Sequence, residues 1–409
     1  MNATQLPPDS ENPIVMTRGL TFLLALACGA IVANLYYAQT LITSIGSDLH
    51  LNLKLSGFIV TLTQLGYGAG LLFIAPLSDL VENRRLIIVL LALTFLSLLG
   101  IIFSQTSFIL LIFCFLLGVT SASAQVIIPF VAHITPLEKR GQVVGTVMSG
   151  LLLGIMLSRP MASLFTHFFS WQAIFIFSAV FMLLLIFLLH HFFPTRKPQH
   201  NLSYAKLLAS FPLIFKSYPM LRRRAIYQAS LFCVFNLFWT SIAVLLMGPF
   251  FNYSQETVAL FAFAGATGAL MAPIAGRLAD KGYTQIATGV AIILVGLACI
   301  IARWHDGHSM TALVISALVL DIGVASNLIL GQRSIYALAP EIRGRLNGLY
   351  VAIFFVGSGI GSALSAYLYT LGGWKFITYA GFVVSLLVFC YFLMECRQTK
   401  KKSDSATNA

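Results

Sequence analysis

Charge is what this sequence has least of. Asp, Glu, Lys and Arg supply only 9% of its 409 residues, and hydrophobic residues supply 58%; an ordinary soluble domain carries about a quarter charged residues. That shortage excludes a soluble enzyme or a nucleic-acid-binding module as the bulk of the chain. Cysteine is equally uninformative as chemistry. The six cysteines (Cys28, Cys114, Cys233, Cys299, Cys390, Cys396) fall in apolar runs or at the C-terminal tail, with neither a disulfide framework nor a zinc-ligand spacing, so they read as packing residues. Three further patterns are missing: the alternation of a transmembrane barrel, a phosphate-cradling Gly-rich loop, which argues against ATP drive, and a basic region ahead of the first apolar run. Residues 1–17 hold Asp9 and Glu11 but no Lys or Arg, so that run is expected to remain as a span and not to be a cleaved signal peptide. No metal or other cofactor is expected.

What is present is a succession of long apolar runs. A hydrocarbon core about 30 Å thick takes about 20 apolar residues per helix. Runs bounded by charge, Gly, Pro or polar clusters predict twelve helices, near 19–45, 56–77, 86–103, 108–133, 141–165, 171–193, 225–248, 257–279, 284–303, 310–334, 346–370 and 375–394. With the N-terminus placed in the cytoplasm, 20 of the 25 Lys and Arg residues lie inside, Lys54, Arg303 and Lys375 outside, and Arg159 and Arg333 within spans. The positive-inside rule therefore puts both termini in the cytoplasm. The net charge of +12 reads as topology, with Arg222-Arg223-Arg224 and Lys400-Lys401-Lys402 beside anionic lipid headgroups, and nucleic acid is not expected as a partner.

The chain repeats itself once. Pro136-Leu137-Glu138-Lys139-Arg140-Gly141 with Gly145 recurs as Pro340-Glu341-Ile342-Arg343-Gly344 with Gly348, and a Trp follows Gly145 and Gly348 at the same distance, Trp171 and Trp374. Leu77-Ser78-Asp79 likewise matches Leu278-Ala279-Asp280. Two six-helix halves in the same orientation follow: residues 1–193, and residues 225–409 with the tail. Between them a polar connection, 194–224, carries seven basic residues and is expected to be cytoplasmic, with room for one amphipathic surface helix.

These features resemble the major facilitator superfamily over nearly the whole chain. Its signature between helices 2 and 3 stands here as Ala75-Pro76-Leu77-Ser78-Asp79-Leu80-Val81-Glu82-Asn83-Arg84-Arg85, which keeps the Asp and the basic pair but replaces the leading Gly, the following Arg and the second Gly. A second copy stands as Gly276-Arg277-Leu278-Ala279-Asp280-Lys281-Gly282. With Asn34-Leu35-Tyr36-Tyr37-Ala38-Gln39 in helix 1 and Gly150-x-x-x-Gly154 before Arg159-Pro160 in helix 5, the chain is similar to the drug/metabolite:proton antiporter branch. The resemblance implies an all-α membrane protein of two six-helix bundles rocking about a central cavity, working as a monomer in a bacterial inner membrane. It also implies a latch in which Asp79, with Arg84, Arg85, Asp280 and Lys281, closes the cytoplasmic side against the start of helix 11 near Leu346 and Asn347. Physically, a carboxylate there can accept hydrogen bonds from helix N-terminal amides; the alternative is a solvated loop Asp beside Arg84 and Arg85.

Of the 13 acidic residues, only Asp321 sits well inside a span. A mid-membrane Asp costs about 2.5–3.5 kcal/mol on insertion scales, so it is a functional candidate by default. The competing reading is a permanently hydrogen-bonded Asp that holds helices together. Gln332, eleven residues on, is three turns away and shares its face. Arg159, a few residues inside helix 5, is the natural counter-charge for Asp321; it could instead snorkel to the outer interface. Polar and aromatic residues at helical spacing mark a candidate substrate cavity: Asn34 and Tyr37 in helix 1, Ser121 and Gln125 in helix 4, Asn236, Trp239 and Thr240 in helix 7. Each could equally be an interhelical hydrogen bond or packing. The runs Gly66-x-Gly68-x-Gly70 and Gly357-x-Gly359-x-Gly361 permit close helix approach. The expected function is proton-coupled efflux of a small organic molecule, the alternative a proton-coupled uptake symporter for a sugar or organic anion with Arg159 on the anion. An intramembrane enzyme would need paired catalytic groups within the spans, which one Asp and one Arg do not supply.

Overall fold

The computed structural model describes residues 16–195, 203–264, 274–275, 277–278, 281–339 and 342–407. All regular structure among them is helical. The first span is broken: α1 (Arg18–Ala33) stops at Asn34 and α2 (Tyr37–Asp48) resumes three residues later. α3 (Leu53–Phe73) runs back and ends in a 3-10 turn, Ala75–Asp79, started by Pro76. Then follow α4 (Asn83–Ile102), a fourth span broken at Ala122 into α5 (Ser107–Ser121) and α6 (Ser123–Ile134), α7 (Leu137–Phe168) and α8 (Trp171–Phe192). The second half comprises α10 (Pro219–Leu246), α11 (Gln255–Ala264), α12 (Thr284–Ala302), α13 (Met310–Tyr336) and α14 (Arg343–Thr407), preceded by a connecting helix, α9 (Tyr204–Ser217). α14 holds two spans, because Gly372 and Gly373 leave helical geometry; Gly373 has φ 61°, a conformation that costs a residue with a Cβ but not glycine.

Ten segments among the described residues are long and apolar enough to cross a membrane. The break in α14 divides one of them in two, and the eighth expected span, 257–279, is represented by α11, its remainder lying largely outside the described residues. Twelve spans therefore stand. Local chemistry places their starts: Thr17 and Asn52 accept hydrogen bonds from Leu20 N (3.1 Å) and Leu55 N (2.9 Å) as N-caps. α10 begins at Pro219, a residue suited to the first helical position, and so takes in Arg222, Arg223 and Arg224, which the hydropathy reading left in the connection. Exposed side chains such as Val89, Leu96, Val180, Phe187, Ile286, Ile293 and Leu387 form the lipid-facing belt.

The two halves meet along α3 and α14. Their glycine runs alternate in use. A Cβ on Gly66 or Gly70 would strike the α5 backbone of its own bundle, while one on Gly68 would face Ala352 and Phe355 across the seam; Gly357 and Gly361 press on Ala229 and Cys233 of α10, and Gly359 faces Thr61 and Leu65. The Gly150-x-x-x-Gly154 pair packs α7 onto α1, a Cβ on Gly154 falling 2.1 Å from the Gly29 carbonyl oxygen. α9 straddles the seam at one end: Tyr204 donates to Phe73 O of α3 (2.7 Å), and Arg345 of α14 donates to Ser210 (3.3 Å).

Gly154→Ala should therefore lower the thermal unfolding midpoint of the purified protein, with an overpacking cost of about 1–3 kcal/mol. Gly145→Ala on the same helix, where an added Cβ meets nothing within 4 Å, should leave it unchanged or raised, since alanine favours helix by about 1 kcal/mol. Equal responses would contradict the close α1–α7 crossing.

Candidate functional site

Between the bundles lies a cavity of about 170 Å³. It extends from mid-membrane toward the face that carries the start of α7 and the end of α13. Its walls are mostly apolar and aromatic, including Tyr36, Tyr67, Phe235, Phe354 and Phe355, with Gln125, Arg159, Asp321 and Gln332 as the polar groups. Such a lining suits a small amphipathic solute.

Arg159 is 2% exposed and Asp321 6%. Snorkelling is thereby excluded for Arg159, which α7 turns into the protein interior. Its Nε donates to Gln39 Oε1 at 2.8 Å, and its guanidinium lies over the Trp239 ring, 4.3 Å from Cζ to centroid, with Phe235 at 4.9 Å and Tyr36 at 5.4 Å. Cation–π contacts of this kind contribute about 2 kcal/mol when desolvated. Nη2 is buried and has no hydrogen-bond partner among the described residues, an omission that costs about 1–3 kcal/mol.

The expected counter-charge is present but not in direct contact. No ion pair among the described residues joins Arg159 to Asp321. Trp239 stands between them: its ring faces the guanidinium, and its Nε1 donates to Asp321 Oδ1 at 2.9 Å. The space between the two charges is filled by an indole.

Gln39 passes the network across the seam. Its Nε2 donates to Asn236 Oδ1 of α10 (2.8 Å), and Asn236 Nδ2 donates to Ser358 Oγ of α14 (2.6 Å). Beyond this level the bundles touch repeatedly: Gln255 donates to Ser44 (2.8 Å), Ser362 to Gly57 O (3.4 Å), and His167 lies 3.6 Å from Glu256. The cavity is closed on that side.

The other sequence candidates are distributed as follows. Gln125 and Gln332 line the cavity with Asp321 and Arg159. Asn236 is in the seam network, and Thr240 is beside it, 3.5 Å from Ser362 Oγ. Asn34 and Tyr37 are elsewhere: Asn34 Oδ1 accepts from Ser178 of α8 at 2.6 Å, and the Tyr37 ring meets Phe175 edge-on. The break at 34–36 turns them toward α8 and presents Tyr36 to the cavity. Ser121 is buried and donates to Leu117 O within its own helix (2.7 Å). Asp79 is exposed at the end of its 3-10 turn. Arg84 donates to His190 O and Arg85 pairs with Glu82 at 3.3 Å, both within the first bundle. Lys281 is exposed, and Asp280 lies outside the described residues. Ser358 was not singled out from the sequence, and Tyr36 and Gln39 stood in the helix 1 motif without being assigned to the site. Gln39 at least carried a signal, an amide well inside an apolar span.

A fold of twelve spans about a mid-membrane cavity, closed at one face, defines a secondary transporter. The sequence profile of the Major Facilitator Superfamily matches residues 21–301 and 259–409, and the chain belongs to that superfamily, whose members are transporters and not enzymes. It is 40% identical over 372 residues to the uncharacterized transporter YgaY of Escherichia coli O157:H7, covering 91% of this chain and 94% of that protein. It is 28% identical over 377 residues to a probable transporter of Streptomyces coelicolor, covering 91% and 86%. Among solved structures it resembles a POT family transporter bound to a thioalcohol-conjugated peptide (TM-score 0.76, 14% identity, 93% of this chain and 96% of that one). It also resembles a point mutant of the nucleoside transporter NupG (TM-score 0.73, 15% identity, 91% and 99%). At these identities the likeness to solved structures speaks for the fold alone.

If Gln39 and Asn236 act as one unit, the double variant Gln39→Ala, Asn236→Ala should lose less stability than the two single changes together, with a coupling of about 0.5–3 kcal/mol. Thermal unfolding of the four proteins measures it. Additivity would break the proposed connection across the seam.

Proposed function

We propose that the chain is a proton-coupled transporter that moves a small organic molecule by alternating access, with residues 1–193 and 225–409 rocking about the 194–224 connection. The observation that carries this reading is Asp321, a buried mid-span carboxyl group that shares a cavity with a buried guanidinium through an indole instead of a locked ion pair. A coupled cycle needs a group that is charged in one state and neutral in another. Apolar surroundings favour the neutral acid and a nearby guanidinium favours the carboxylate, so movement that changes their separation or hydration can load and release a proton. Gln125 and Gln332 are positioned to orient the solute.

The resemblance to drug/metabolite:proton antiporters supports efflux in exchange for protons. Uptake of an organic anion together with protons is the second reading, and the unpartnered Nη2 of Arg159 favours it. Both place the protein in a bacterial inner membrane as a monomer, with its termini and the 194–224 connection in the cytoplasm; the closed face is then the outer one and the cavity opens inward. The cytoplasmic latch would rest on Asp79 and Asp280, with Lys281 nearby. Arg84 and Arg85 support it indirectly, through contacts inside their own bundle.

Asp321→Asn should abolish accumulation driven by a pH gradient in proteoliposomes while leaving energy-independent exchange, because Asn keeps the shape and cannot titrate. Full gradient-driven transport by this variant would return Asp321 to a structural role. For topology, a cysteine at Ser217, exposed at the end of α9, should resist an impermeant thiol reagent in intact cells and react after lysis. Labelling from outside would reverse the orientation.

A further inference from the structure

Arg159 is only partly satisfied: Nε is bonded to Gln39, the ring plane is covered by Trp239 and Phe235, and Nη2 is buried without a hydrogen-bond partner among the described residues. Arg159 also lines the cavity. We propose that the cavity receives an amphipathic organic monoanion of one or two rings, its negative group on the Arg159 guanidinium and its apolar body against the Tyr36, Phe235, Phe354 and Phe355 rings, and that the anion binds together with a proton taken up by Asp321. This rests on Asp321 being the proton carrier proposed above.

The charge count sets the linkage. With Asp321 ionised, its carboxylate balances Arg159 and the cavity is neutral. An arriving anion adds one negative charge in apolar surroundings, where an unbalanced charge is expensive. A proton moving from water onto the Asp321 carboxylate, forming the neutral acid, restores balance, and the anion replaces Asp321 as the partner of Arg159. The groups that act on Asp321 among the described residues are Arg159 from α7 and Trp239 from α10, with the Tyr36 hydroxyl between α1 and α2 within electrostatic reach. None of them is a second carboxylate or an imidazole that could take this proton instead. The Trp239 indole N–H can still donate to the neutral acid's carbonyl oxygen, so the wall keeps its shape while the charge changes.

A cationic solute would reverse every sign, meeting Arg159 and needing Asp321 ionised. A neutral one would offer Nη2 an acceptor but would carry no linked proton. The volume of about 170 Å³ sets the size, being close to that of an engineered cavity of about 150 Å³ that admits benzene, and the test brackets it with one ring and two. Because anion and proton bind together, they cross together, which sharpens the second of the two functional readings.

The test uses the purified full-length protein with benzoate and 2-naphthoate, their amides benzamide and 2-naphthamide, and benzylamine. Thermal unfolding reports binding, since a ligand of the folded state raises the midpoint, and a pH indicator in weak buffer reports protons. At least one carboxylate should bind about tenfold or more tightly than its amide, as expected for a charge-assisted hydrogen bond, with uptake of about one proton per anion. Asp321→Asn should keep carboxylate binding and lose the proton uptake; Arg159→Gln should lose the preference for acid over amide. Amides binding as well as acids, or no response to either carboxylate, would overturn the inference. Benzylamine binding that releases an Asp321-dependent proton would overturn it as well while leaving Asp321 as the proton carrier. Carboxylate binding without proton uptake in the unchanged protein would overturn the co-binding and the proton role of Asp321 together.

Discussion

A guanidinium buried within the spans has to be neutralised and hydrogen-bonded where it stands, and in this protein that requirement reaches across both bundles. Arg159 is held by Gln39, covered by Trp239 and balanced across the indole by Asp321. Breaking such an arrangement from one side leaves the remaining charge uncompensated, which is far costlier than the net worth of the intact set. Gln39 is also the residue that bonds Asn236 of the second bundle. Arg159 is therefore one bond from a contact on the closed side of the seam. On the function proposed above, a change in the partners of Arg159, whether by proton or by solute, would bear on that contact through Gln39.

The glycine runs bear on the rocking proposed above. On α3 and α14 the first and third glycines of each run seat the helix in its own bundle, and the middle glycine leaves a smooth surface toward the other. Close helix approach, within each bundle and across the seam, where a Cβ on Gly359 would fall 2.8 Å from Leu65, is compatible with the rigid-body rocking proposed above. The breaks at 34–36 and at Ala122 fall in the first and fourth spans, whereas α10 and α13 run unbroken. The first bundle thus has two points where backbone geometry departs from the helix close to the cavity, and the second offers the stiffer wall that carries Trp239 and Asp321.

Much of this was legible in the sequence, for identifiable reasons. Span number followed from apolar length, and the two-fold repeat from Gly145 with Trp171 against Gly348 with Trp374. Asp321 and Gln332 share a wall because α13 is a regular helix, so counting turns works. The same counting put Asn34 and Tyr37 on one face, and they share it, but the break at 34–36 points that face at α8 and presents Tyr36 to the cavity instead. Ser121 sits immediately before the other break and bonds its own backbone. Arg159 carried two readings because depth along a helix does not say which side a long side chain takes; burial between Tyr36, Phe235 and Trp239 decides it. Arg222–Arg224 were read as loop because charge ends a hydropathy run, yet Pro219 starts the helix three residues ahead of them. Gln39 stood in the helix 1 motif beside Asn34 and Tyr37 but was not assigned to the cavity, although the cost of burying an amide applies to it equally.

The central claim is that Trp239 joins Arg159 and Asp321 into one unit whose protonation changes. Trp239 is one of four tryptophans, with Trp171, Trp304 and Trp374, so replacing those three with Phe leaves its fluorescence as a reporter at the junction itself. Titrating that protein with acid should give one reversible change in emission, absent when Asp321→Asn is added and displaced along the pH axis when Arg159→Gln is added instead. Emission that does not vary with pH, or a transition that survives Asp321→Asn unchanged, would contradict the account.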